Sequence, residues 1–252
     1  MQRIVQKFGG TSVGSINKIK NACTLIEKEF NKGNQVVVVS SAMSGETNKL
    51  VALAENFDVS LNKREYDMIV STGEQVSIAL ISMALKDIGI TARPLLGWQV
   101  PIICSNDYTK AKINKIDSKL ILKIIKNREI PIIAGFQGVD ENNNIVTLGR
   151  GGSDTSAVAI AASISADRCD IYTDVDGVYT CDPRMVSKAK KLEKISYEEM
   201  LEFASLGAKV LQTRSIEMAM RHNVIVQVLS SQTGAKGTFL TKEDKKMENE
   251  LV

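Results

Sequence analysis

Histidine is almost missing from this chain of 252 residues: His222 is the only one. A His-ligated metal centre is thereby excluded in practice, and a Ser-His-Asp triad would have to use His222, which no nucleophile elbow accompanies. The four cysteines, Cys23, Cys104, Cys169 and Cys181, stand far apart and form no CxxC, so they read as reduced thiols and not as a metal or disulfide framework. A strong charge of one sign is also missing. The net charge of +3 is spread over interleaved acids and bases, with no basic stripe and no run of aromatics, which argues against a nucleic-acid partner. No leader peptide is expected ahead of the first strand, and no apolar run is expected to be long enough to span a membrane. A Walker A loop is absent as well. What remains, 44% hydrophobic and 24% charged residues, is the composition of an ordinary domain with a sizeable core.

Apolar β-branched runs alternate with helical patterns. Strands are expected at Arg3–Phe8, Gln35–Ser40, Ile130–Ala134, Cys169–Thr173 and Val224–Leu229. Helices are expected at 15–31, 47–56, 63–86 (with a break near Thr72-Gly73), 117–127 (Asp117 as N-cap), 153–165, 196–203 and 212–221. Residues 91–112 read as short strands and turns, and Asp140–Asn144 as a hairpin tip with Ile145–Leu148 returning. The stripe Met68, Ile69, Val76, Ile78, Leu80, Met83 reads as core or subunit interface. The charged tail from Thr241 lacks periodicity. The alternation implies an α/β fold: a mostly parallel sheet, doubly wound, with helices on both faces.

In such sheets ligands bind beyond the carboxyl ends of the strands. The polar clusters fall there. Arg3–Phe8 ends in Gly9-Gly10-Thr11-Ser12, the valine strand in Ser40-Ser41-Ala42-Met43-Ser44-Gly45, Ile130–Ala134 in Gly135-Phe136-Gln137-Gly138, and Cys169–Thr173 in Asp174-Val175-Asp176-Gly177. Any one of these could be a plain turn; four together point to a glycine- and hydroxyl-rich site. Lys7 lies inside an apolar strand beside a double glycine, where backbone N–H groups and a helix N-terminus can meet a polyphosphate. Gly149-Arg150-Gly151-Gly152-Ser153-Asp154 opens a helix, as an anion-friendly cap or as a simple capped turn. Arg150 adds a planar fork suited to carboxylate or phosphate. The acidic pair Asp174 and Asp176 lacks the spacing of an EF-hand calcium loop.

Lys7-Phe8-Gly9-Gly10-Thr11-Ser12, Ser71-Thr72-Gly73-Glu74, Gly149–Asp154 and Thr173-Asp174-Val175-Asp176-Gly177-Val178-Tyr179 occur in this order. Together they resemble the aspartokinases of the amino acid kinase superfamily, from about Gln2 to Leu240. The resemblance implies a three-layer α/β sandwich. It implies transfer of the ATP γ-phosphoryl group to the side-chain carboxylate of L-aspartate, the first step toward lysine, threonine and methionine, in the cytoplasm and with Mg²⁺ carried on the phosphates. Lys7, with Gly9 and Gly10 amides, would hold the phosphates, and Ser41 would lie near them. Thr47 and Glu74 would line the aspartate pocket, with Glu74 on the ammonium. Arg150, with Gly151, Gly152 and Ser153, would meet a substrate carboxylate, and Asp154 would position the lysines and substrate. Thr173, Asp174, Tyr179, Arg184 and Lys209 would hold the nucleotide. Residues 1–150 would form the substrate side and 151–240 the nucleotide side. The same superfamily includes kinases of glutamate, N-acetylglutamate and UMP, which stand as alternatives. Aspartokinases continue past Gly237–Leu240 into paired ACT domains. The expectation for this chain is therefore a catalytic segment without them, pairing through the kinase domain or depending on a separate ACT-containing chain.

Overall fold

The computed structural model describes residues 1–243 apart from Arg184, Ser187, Lys209 and Gly234. Its strands are β1 (Arg3–Phe8), β2 (Gln35–Ser40), β3 (Ala92–Leu95), β4 (Ile102–Cys104), β5 (Ile113–Ile116), β6 (Ile130–Ala134), β7 (Gln137–Val139), β8 (Ile145–Thr147), β9 (Arg168–Thr173), β10 (Lys194–Ser196), β11 (Val226–Ser230) and β12 (Thr238–Thr241). Its helices are α1 (Ile16–Asn31), α2 (Glu46–Ala54), α3 (Lys63–Val70), α4 (Thr72–Asp87), α5 (Lys119–Lys126), α6 (Gly152–Ser163), α7 (Tyr197–Ser205) and α8 (Thr213–His222).

The valines of β2 explain the layering. Val36 and Val38 pack on one face of the sheet and Val37 and Val39 on the other, all but fully buried. A strand buried on both faces needs helices on both, which is the condition for a parallel sheet. Helices α1 and α4 cover one face through Ile19, Ile26, Ile78 and Leu85. On the other face α6, α7 and α8 pack through Val158, Ile160, Met200, Ile216 and Ala219. Each fully buried aliphatic side chain contributes about 1.5–3 kcal/mol of transfer free energy. Among the described residues eight strands form this sheet, in the order β10-β12-β11-β9-β1-β2-β6-β3, with only the β11–β12 pair antiparallel. Strand β1 lies at its centre, parallel to β2 on one side and to β9 on the other.

Several local expectations are corrected. The long helical pattern does break, at Ser71, one residue before the expected place, and its two parts, α3 and α4, take different environments. Of the stripe read as core or subunit interface, Ile78 lies in the core while Met68, Val76 and Met83 are exposed. Taken as one run, Lys63–Asp87 is long and apolar enough to cross a membrane, contrary to expectation; half of its most apolar window is buried inside the fold, as in a core helix. Ser118, not Asp117, is the N-cap of α5, although Asp117 Oδ1 accepts from Lys119 N at 3.1 Å. The expected hairpin around Asp140–Asn144 is β7–β8, but its joining to β4 and β5 in a second sheet, β5-β4-β7-β8, was not foreseen. Thr241 ends β12, and the tail from residue 244 lies outside the described residues.

Candidate active site

Lys7 is the last inward residue of β1 on the face that α6 covers. A β-strand alternates its side chains, so Val5 and Lys7 point toward α6 while Gln6 and Phe8 point toward α1. Helix α6 can approach closely because its buried surface is built from Ser156, Ala157, Val158, Ile160 and Ala161. Its first turn therefore brings Asp154 against the end of β1. Lys7 Nζ and Asp154 Oδ1 are 2.5 Å apart, with side chains 10% and 12% exposed. The pair is ionic by distance but lacks the angles of a hydrogen bond, so Asp154 Oδ1 has no hydrogen-bond donor among the described residues.

The glycine turn wraps the same point. A Cβ on Gly9 would stand 3.4 Å from Lys7 Nζ, and one on Gly10 would stand 2.9 Å from Ala42 O. The N–H of Gly9, expected to face a phosphate, is instead donated to Tyr172 O at 3.2 Å. Gly9 thus leaves room beside the lysine while its amide holds the turn to β9. Residues Gly10–Ser12 form a 3₁₀ turn, closed by Ser12 N donating to Gly9 O at 2.9 Å. Tyr172, which the sequence reading did not single out, supports this turn twice. Its carbonyl accepts from Gly9 N and from Ser12 Oγ, and its ring stacks on Phe8 with centroids 4.7 Å apart.

Beyond β2 the chain meets the start of α4. A Cβ on Gly73 would fall 2.8 Å from Ala42 Cβ, so α4 begins in contact with the strand end. This lets Glu74 Oε1 accept from Ala42 N at 2.9 Å and Ser77 Oγ donate to Ser41 O at 2.7 Å. Glu74 is 3% exposed, and its Oε2 is buried without a hydrogen-bond donor among the described residues. Burial pushes its carboxyl up to about 7, against a smaller opposite pull from the Ala42 amide. A buried carboxylate with an unused oxygen is a receptor for a cation. Thr47, in the first turn of α2, is half-buried.

Gly149 and Gly151 flank Arg150 with φ of 74° and 71°, the left-handed region that glycine adopts without strain. Arg150 is exposed and forms no ion pair among the described residues. Gly152 and Ser153 begin α6, and Ser153 packs against Gly135 at the end of β6, where a Cβ would be 2.9 Å from Ser153 Oγ. Thr173 ends β9 and Asp174 follows it, with Thr173 Oγ1 donating to Asp174 Oδ1 at 3.0 Å. The Tyr179 hydroxyl donates to Asp176, which Lys191 also approaches at 3.4 Å. Arg184 and Lys209 lie outside the described residues. The four polar clusters therefore meet along the carboxyl ends of β6, β2, β1 and β9, which are neighbours in the sheet.

The amino acid kinase family model matches residues 2–230. An aspartate kinase of Pseudomonas putida is 53% identical over the whole of this chain, which spans 62% of that relative's length. The crystal structure of aspartate kinase from Synechocystis superposes with a TM-score of 0.84 at 44% identity, covering 96% of this chain and 40% of the other. E. coli aspartokinase III, solved in complex with aspartate and ADP, gives a TM-score of 0.86 at 29% identity over 97% of this chain and 65% of its own.

Proposed function

We propose, since the chain belongs to the amino acid kinase family, that it transfers the γ-phosphoryl group of ATP to the side-chain carboxylate of L-aspartate, giving 4-phospho-L-aspartate. The observation that carries this reading is the buried Glu74, whose Oε2 has no donor in the cluster of strand ends that also holds the Lys7–Asp154 pair. An amino acid's ammonium supplies the missing cation, and ionises Glu74 as it binds. The similarity to aspartate kinases supports the same substrate.

The attacking carboxylate is already an anion and needs no general base. One of its oxygens bonds to the γ-phosphorus, the bond from phosphorus to the β,γ-bridging oxygen breaks, and ADP leaves with that electron pair. Catalysis of such a step is positioning and neutralisation of charge. Lys7 faces the transferred group, and the Gly10 turn lets the phosphates approach. Arg150 pairs with a substrate carboxylate, with Thr47 and Ser153 beside it. Thr173, Asp174 and Tyr179, together with Arg184 and Lys209, hold the nucleotide. Residues 1–150 carry most of the acceptor side and 151–240 most of the nucleotide side, with Lys7 and the Gly10 turn reaching the phosphates from the first part and Ser153 reaching the acceptor from the second. Mg²⁺ would arrive on the phosphates, keeping its waters. Asp154 lies beside the place of the phosphates but its Oδ1 is engaged by Lys7 Nζ at 2.5 Å, so the phosphates themselves would carry the ion. When bound the ion neutralises charge on the phosphate oxygens. Cytoplasmic location, pairing of kinase domains and control through an ACT-containing chain belong to the same reading.

The test is ATP- and Mg²⁺-dependent turnover, with the acyl phosphate trapped by hydroxylamine. Hydroxamate should form with L-aspartate and not with L-glutamate or N-acetylglutamate, and ADP release, which also reads phosphorylation of UMP, should not rise with UMP. Equal or greater turnover with N-acetylglutamate, which offers Glu74 no ammonium, would overturn the assignment. Turnover only after addition of an ACT-containing chain would make this a dependent catalytic subunit.

A further inference from the structure

Asp67 is wholly buried, 0% exposed, on α3, well outside the groups assigned above. Three donors converge on it. Thr109 N and Thr147 N each donate to Oδ2 at 2.8 Å, and Thr147 Oγ1 donates to Oδ1 at 2.7 Å. These partners lie 42 and 80 residues away in sequence. Thr109 occupies a left-handed turn, φ 71°. Its carbonyl lies where a Cβ on Gly149 would come within 2.9 Å, so the Thr109 turn is one wall of the Arg150 loop. Thr147 ends β8, three residues before Arg150. On its other side the loop is held by α8, where Arg214 donates to Leu148 O at 2.6 Å and to Ala111 O at 3.0 Å. Helix α3 leads through Ser71 into α4 and Glu74. The Ser71 carbonyl is itself tied to the hairpin by Gln137 Nε2 at 2.8 Å.

We infer that Asp67 is a positioning residue for the acceptor site, fixing the Arg150 loop in register with the helix pair that carries Glu74. The inference rests on the proposed roles of Arg150 and Glu74. A carboxylate suits the place because it offers only acceptors to three donors. An Asn there would turn an NH₂ toward one of them. A buried aspartate with no ion pair among the described residues survives only where hydrogen bonds replace its hydration.

The test is a double-mutant cycle of Asp67→Asn and Arg150→Ala. Asp67→Asn should raise the aspartate KM about tenfold, the size of one lost buried charged hydrogen bond, and leave the ATP KM within about twofold. Added to Arg150→Ala it should raise the aspartate KM no further, because it acts through that side chain. Equal effects on both substrates, or additive effects in the double variant, would overturn the inference. Thr147→Val removes a single donor without changing shape and serves if Asp67→Asn does not fold; an unchanged aspartate KM there would count equally against it. Amide exchange separates this inference from the assignment of the reaction, since it needs no substrate. Protection at Thr109 and Thr147 should fall in Asp67→Asn. If it does, and Arg150→Ala alone leaves turnover unchanged, the role of Arg150 is what fails; unchanged protection refutes the tether.

Discussion

Lys7 and Asp154 hold each other in a nearly dry place, and their separate contributions can be distinguished. Lys7→Ala should lower kcat about 100-fold or more, as for removal of one transition-state donor, and should also lower Tm, because Asp154 is left buried without its cation. Adding Asp154→Asn should restore Tm and not kcat; thermal melts beside steady-state kinetics check both. Glu74 carries the pH dependence. Its folded pKa, about 7, stands above its ordinary value of 4.5, so its contribution to stability is fully present below pH 4.5 and is lost as pH rises through 7. Glu74→Gln should flatten that part of the stability profile. In the wild type the aspartate KM should fall as pH rises through 7, where the ionised form that binds ammonium takes over. A wild-type KM that does not change across this range would remove Glu74 from the pocket.

At the scale of elements, the Arg150 loop depends on glycines that cannot be replaced cheaply. A Cβ on Gly151 would lie 2.0 Å from Gln212 Cγ, at a φ of 71°. Gly151→Ala should cost about 1–3 kcal/mol, read from denaturant unfolding, and should shift α6 against α8. Much of this layer was legible in the sequence. The four valines of β2, the apolar run of β6 and the small residues of α6 each carry a period or composition that only a buried α/β element needs. The strand-end clusters were legible for the same reason, because the rule that ligands sit beyond parallel strands converts sequence order into a place. The β7–β8 hairpin was legible too, from its Asn-rich tip, but its joining to β4 and β5 as a second sheet was not. Strands β4, β7 and β8 have three residues each, too few for a period to register. Asp67 was equally hidden. Within Lys63–Val70 it reads as one more charge on a polar helix face, and only pairing with Thr109 and Thr147 gives it a buried role. The committed amide of Gly9 is likewise a tertiary fact, since its acceptor, Tyr172 O, is 163 residues away in sequence.

On the scale of the whole molecule, binding and folding are one equilibrium. A nucleotide held at about 100 times its Kd should raise the unfolding free energy by about 2.7 kcal/mol. Melting curves with and without ATP and Mg²⁺ measure it, and Lys7→Ala should shrink the shift at the same concentrations. The central place of β1 between β2 and β9 has another consequence, for synthesis. At translation rates of 5–20 residues per second, β9 follows β1 from the ribosome by roughly 8–30 s. For that time β1 has a partner on one side only, and its other edge is an open row of backbone donors and acceptors of the kind that recruits foreign strands. The same strand carries Lys7, so this buried lysine spends its first seconds at the rim of an unfinished sheet, and its carboxylate partner, Asp154, emerges only shortly before the strand that closes it.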